Sequence, residues 1–100
     1  MYEYKAKVKR VIDGDSVIFT VDLGFHTLVE INGRLAEVDT PERGQADFHR
    51  ATNLFIELLH KNTDKEGWNT IRTEKTGKYG RWIVYIAGVN DTMKELWPYV

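Results

Sequence analysis

The sequence predicts a mainly β domain with some α structure: a five-stranded barrel, one main helix packed against it, and a short C-terminal helix. Three observations carry this. Apolar and polar residues alternate with period two over Tyr4–Ile12 and again over Ser16–Leu23, as in strands with one buried face. The period becomes helical between Ala46 and Lys61. Two short runs rich in β-branched and aromatic residues, Trp68–Thr73 and Trp82–Ile86, follow, a composition that suits a pleated, half-buried surface.

In chain order, the first strand places Tyr4, Ala6 and Val8 on one side and Lys5, Lys7 and Lys9 on the other, with Arg10 adjacent. The lysine side reads as a solvated face. Asp13-Gly14 marks a hairpin turn. Val17, Phe19, Val21 and Leu23 of the second strand are expected to face inward. Gly24 turns the chain into a third strand from about His26 to Ile31, resuming from Arg34 to Val38 after a bend or bulge at Asn32-Gly33. Thr40-Pro41 stops the strand pattern. The helix then carries a stripe of Phe48, Ala51, Phe55, Leu58 and Leu59, spaced to bury one face. A basic, glycine-containing loop joins the last two strands. A short helix is expected from Thr92, where Thr92 and Glu95 have capping-box spacing, and Pro98 ends it. Five strands is the count of an OB-type barrel.

One hundred residues, 42% of them hydrophobic, suit one domain over residues 1–100. The chain has no cysteine, so a bound metal must be held by oxygen or imidazole. No apolar run reaches the length of a membrane span, and the N-terminal residues lack the apolar region of a signal peptide. The expectation is no membrane; the compartment is left open, with cytoplasmic only as the default. The net charge of −1 argues against binding a polyanion by bulk charge and requires a local basic patch instead.

Three segments hold the chemistry. In Val11-Ile12-Asp13-Gly14-Asp15-Ser16, two carboxylates flank a glycine at a strand–strand corner, where both can point toward one hard cation. In Arg34-Leu35-Ala36-Glu37-Val38-Asp39-Thr40-Pro41-Glu42, a guanidinium able to fork onto a phosphate precedes two carboxylates. Asp39 can join Asp15 on a metal. Thr40, held extended before proline, can aim its carbonyl at the same ion. Glu42 is placed to act on a water beside it. In Lys78-Tyr79-Gly80-Arg81, two cations and a tyrosine suit phosphate gripping with a base or sugar contact. Each segment alone also reads as an ordinary polar turn or strand end. Together they supply a cation site, a base and positive charge facing a phosphoryl group, which phosphodiester hydrolysis requires.

The strings Val-Ile-Asp-Gly-Asp-Ser, Gly-Arg-Leu-Ala-Glu-Val-Asp-Thr-Pro-Glu and Lys-Tyr-Gly-Arg, in this order around a helix, resemble the staphylococcal nuclease (thermonuclease) family from about Tyr4 to Ile86. The resemblance implies an OB-type barrel and a Ca2+-dependent nuclease that cleaves single-stranded or frayed DNA and RNA and leaves 3′-phosphate ends. It implies Asp15, Asp39 and the Thr40 carbonyl as calcium ligands, with Asp13 near the ion. It also implies Arg34 and Arg81 as the clamp on the scissile phosphate, Glu42 as general base or water positioner, and Lys78 and Tyr79 as contacts to the substrate's other phosphate. The chain departs from that pattern at Ser16, where threonine is frequent, and at Gly77, where aspartate is frequent. The segment Glu42–Ala46 is short, and the chain stops at Val100 where relatives continue into a further helix. A C-terminally short domain is expected as a monomer or a homodimer.

His26, His49 and His60 read as structural or solvated. His49 and His60 share a helix face but lie about 16 Å apart along the axis, too far to share one ion. Trp68, Trp82 and Trp97 read as core or rim packing rather than base platforms. Glu37 faces either solvent or a nucleic-acid groove. The alternative function is a catalytically weak or inactive nucleic-acid-binding barrel of the same fold. Retention of Asp15, Arg34, Asp39, Glu42 and Arg81 favours the enzyme. An interaction module that merely shares the barrel would leave this polar set without a purpose.

Overall fold

The computed structural model of the chain describes residues 2–76 and 80–99. The elements are β1 (Tyr2–Asp13), β2 (Ser16–Asp22), β3 (Leu28–Leu35), α1 (Phe48–Lys61), β4 (Asn69–Thr76), β5 (Trp82–Ile86) and α2 (Asn90–Leu96). The five strands close into a barrel in the order β1-β2-β3-β5-β4, with β4 returning to pair antiparallel with β1. β3 and β5 are the one parallel pair among the described residues.

Strict alternation cannot bury both Ala6 and Val11. A bulge resolves the conflict. The β1–β2 pairing passes from Val8↔Phe19 to Arg10↔Ile18 and Val11↔Val17, so the inward parity shifts from even to odd residues. Ala6 is fully buried and Val11 packs against the core. Val8, expected inside, is 37% exposed, because it borders an open groove between β1 and α1 beside Val11, Ile56 and Leu59.

Val17, Phe19 and Val21 are buried as their alternation requires, but Leu23 is not. Leu23 lies past the end of β2, in a connection where Gly24, Phe25 and His26 all take positive φ (84°, 54° and 58°) and the Thr27 amide closes a turn on the Gly24 carbonyl at 2.9 Å. The third strand consequently begins at Leu28. It runs straight through Asn32-Gly33 rather than bending there. Gly33 pairs with Val17 on one side and Trp82 on the other. A β-carbon on it would sit 3.3 Å from Val84, so the glycine serves the close approach of β5. Val38 falls outside the strand and meets Pro98 in an isolated bridge.

α1 starts at Phe48, because Asp47 takes φ 68° and turns the chain into the helix. Phe48, Ala51, Phe55 and Leu59 are buried, with Leu58 packed at the core's edge. α2 starts at Asn90, two residues before the expected Thr92, and no side chain caps it. Asn90 is used differently: its Oδ1 accepts from the Ile86 amide at 2.7 Å and its Nδ2 donates to the Ala36 and Val84 carbonyls at 3.1 Å each. The lysine face of β1 is exposed but engaged. Lys9 pairs with Glu30 at 2.6 Å, Lys5 reaches Asp64 at 3.9 Å, and Lys7 lies over the Trp68 ring. His26, His49 and His60 are exposed, and Trp97 packs against the core. No helix among the described residues is long and apolar enough to cross a membrane.

Candidate functional site

The site forms where the β1–β2 turn meets the segment that follows β3. Asp15 occupies the turn, and its carbonyl accepts from the Leu35 amide at 2.8 Å, which ties the turn to the end of β3. Its carboxylate is buried, at 8% residue exposure. Ser16 Oγ donates to Oδ1 at 3.3 Å, and the Thr40 amide donates to Oδ2 at 3.3 Å. Arg34 Nη2 stands 3.5 Å from Asp15 Oδ2 and 3.7 Å from Asp39 Oδ1. One guanidinium nitrogen therefore bridges the two carboxylates assigned from sequence as metal ligands. The Asp13 carboxylate accepts the Asp15 amide at 3.1 Å and completes the corner.

A strap from the chain's end holds the other side. The Asp39 amide donates to the Trp97 carbonyl at 2.9 Å, and the Tyr99 amide donates to the Glu37 carbonyl at 3.0 Å. The Tyr99 ring lies against the Arg34 guanidinium, 5.6 Å from centroid to Cζ. Val38 between these contacts is fully buried, while Glu37, at φ 64°, and Asp39 are exposed on either side of it.

Burial pushes the Asp15 carboxyl up to about 6, and the neighbouring Asp13 carboxylate pushes in the same direction. Arg34 and the Thr40 amide pull the other way without prevailing. Two carboxylates crowded at a buried turn are what a cation relieves. Thr40 Oγ1 is buried with no partner among the described residues, and no hydrogen bond to the Thr40 carbonyl is found among them. The donor set therefore fits a hard, oxygen-seeking ion such as calcium. It is a sparse set: among the described residues no three His, Asp or Glu side chains converge as a metal-holding group, so a bound ion would draw on backbone carbonyl and water.

The other sequence-assigned residues are less closely gathered. Glu42 is exposed, and its amide donates to Gln45 Oε1 at 2.7 Å in a tight turn. Its carboxylate makes no ion pair with Arg34 or Arg81 among the described residues. Arg81 is half-buried at the entry to β5. The parallel register pairs Gly33 with Trp82 and Arg34 with Ile83, so Arg81 stands just before the first paired residue of β5. Lys78 and Tyr79 lie outside the described residues.

Two contributors escape a sequence reading. Gly14 is needed because a β-carbon there would stand 2.8 Å from Thr40 Oγ1, and only the residue's place in a DG turn hinted at it. Tyr99 gave no signal, since nothing in its neighbourhood says that it folds back on Arg34. No protein-family model and no curated protein matches this chain.

Proposed function

We propose that this chain is a metal-dependent nuclease of the staphylococcal nuclease type, built on an OB-type barrel, that hydrolyses phosphodiester bonds of single-stranded or frayed DNA and RNA and leaves 3′-phosphate ends. The observation that carries the reading is the meeting of Asp15, Asp39, Thr40 and Arg34 at one corner of the barrel. The closed strand order β1-β2-β3-β5-β4 supports the barrel assignment.

Asp15 and Asp39, with the Thr40 carbonyl, would hold the calcium ion, and Asp13 would sit beside it. When bound, the ion supplies charge neutralisation at the phosphate and favours ionisation of an adjacent water. Arg34 can leave its two carboxylates and present its N–H fork to the phosphoryl oxygens, where charge grows as the nucleophile attacks in line. Arg81 would grip the same group from the neighbouring strand. Glu42 would orient the attacking water and accept its proton. Lys78 and Tyr79 would hold the substrate's other phosphate.

The experiment is digestion of single-stranded DNA with excess calcium, beside an EDTA control and Asp39→Ala. Calcium-dependent cleavage lost in both controls supports the enzyme and its metal site together. Absence of cleavage by folded protein favours the alternative, a nucleic-acid-binding barrel without catalysis.

A further inference from the structure

We infer that a strip of arginines laid on aromatic rings leads away from this site and binds successive backbone phosphates of a single-stranded nucleic acid, with Arg50 and Arg43 as its phosphate contacts. The inference rests on the nucleic-acid reading above and extends it to residues outside the catalytic corner.

The strip starts at Arg34 on Tyr99. Trp97 lies two residues before Tyr99 in the extended segment that Pro98 pins to Val38, and alternate residues of an extended segment project to one side. Arg50, from the first turn of α1, lies over Trp97 at 5.6 Å. Two residues before Arg50, Phe48 carries Arg43 at 5.2 Å. Arg43 directly follows Glu42. Three guanidinium–aromatic pairs thus join β3 to the C-terminal strap, the strap to the first turn of α1, and the segment before α1 to that same turn.

Stacking leaves a guanidinium its charge and its edge N–H donors while fixing its plane. That arrangement suits bidentate gripping of phosphate oxygens. Asp47 stands 3.7 Å from Arg50, but the side chains are 54% and 62% exposed. Water weakens so exposed a pair, and a phosphate can compete for the arginine. The strip also answers the charge problem. A chain of net charge −1 meets a polyanion through local cations, and these arginines supply such a group. A single strand is favoured because its flexible backbone can bring successive phosphates to cations held on separate elements.

The test is fluorescence anisotropy with labelled (dT)12 and (dT)2, in EDTA so that no cleavage consumes the probe, at several salt concentrations. For wild type, (dT)12 should bind more tightly than (dT)2. Arg43→Gln with Arg50→Gln should weaken (dT)12 binding roughly tenfold and flatten its log–log salt slope by about 1.4, the loss of two single-strand phosphate contacts. Arg43→Lys with Arg50→Lys should keep the slope, because charge is retained. Thermal melting confirms that each variant is folded, and the lysine pair serves as reference if the glutamine pair is not. An unchanged slope in the glutamine pair, or a lost slope in a folded lysine pair, overturns the strip while leaving the catalytic reading intact. Wild type that binds neither probe overturns the nucleic-acid reading and the strip with it.

Discussion

Gly14 and Thr40 touch so closely that a β-carbon on the glycine would stand 2.8 Å from the threonine hydroxyl oxygen. The turn that carries Asp15 is thereby pressed against the segment that carries Asp39, and the site's geometry depends on a missing side chain. Gly14→Ala should cost about 1–3 kcal/mol, the usual penalty of overpacking a tight contact. It should also weaken calcium binding, because Thr40 must move away from the Asp15 carboxylate. Urea denaturation and a calcium titration of the variant measure the two effects. Wild-type values in both would show that the contact relaxes freely and does not set the site.

Asp15 makes the metal-free protein's stability depend on pH. Its carboxyl lies at about 6 in the fold, above its ordinary 3.8, so the folded state holds the proton more tightly than the unfolded state. The resulting stabilisation is fully present below pH 3.8 and is lost as pH rises through 6. Asp15→Asn removes the titration. In EDTA at pH 8 the variant should be more stable than wild type by on the order of 2 kcal/mol, with a flatter profile between pH 4 and 7. Added calcium should reverse the order, because a ligand stabilises only the protein that binds it. Thermal melts across pH, with and without calcium, decide this. A variant less stable than wild type in EDTA at pH 8 would mean that the Asp15 charge is well accommodated without a cation.

The grouping of the candidate site is legible in outline because its polar residues lie in short contiguous strings. Asp15, Arg34, Asp39 and Thr40 stand out from their immediate neighbours in sequence, and the hairpin and β3 bring them together. The strands were legible where one face is buried, as at Val17, Phe19 and Val21. What could not be read was set by contacts across the chain. The inward parity of β1 changes at a bulge that no residue announces. Asn32-Gly33 has the composition of a bend, yet its glycine makes room for Val84 inside a continuous strand. Thr92 and Glu95 have capping spacing, but the helix starts earlier because Asn90 is recruited to backbone groups 4, 6 and 54 residues away in sequence.

Arg34 should prove to be two things at once: an internal counter-ion and a phosphate ligand. Its Nη2 lies within 4 Å of both proposed metal carboxylates, so a metal must bind against its positive charge. Arg34→Ala should therefore lower kcat/KM by at least ~2.7 kcal/mol of transition-state stabilisation, by analogy with losing one oxyanion donor. Calcium affinity should hold or rise. Steady-state kinetics and calcium calorimetry on the same preparation test the split. A fall in calcium affinity as large as the fall in rate would place Arg34 in support of the metal site and not on the phosphate.

Asn90 is buried and joins three backbone groups: the Ile86 amide and the carbonyls of Ala36 and Val84. Ala36 follows β3 and Val84 lies in β5, so one amide side chain reinforces the parallel pairing that sets Arg34 opposite Ile83. Asn90→Ala removes this partner from the buried Ile86 amide and Ala36 carbonyl, while the Val84 carbonyl keeps the Ala36 amide at 2.9 Å; each unsatisfied group costs about 1–3 kcal/mol. Denaturant melts should show a loss of at least ~2 kcal/mol. Asn90→Asp sharpens the test: a carboxylate can still accept from the Ile86 amide but cannot donate to the two carbonyls, and it faces them with a negative charge. The aspartate variant should be no more stable than the alanine variant at pH 8 and should recover as pH falls and the carboxyl takes up a proton. An aspartate variant as stable as wild type at pH 8 would show that the two donated bonds contribute nothing beyond the backbone ladder and packing that already join β3 to β5.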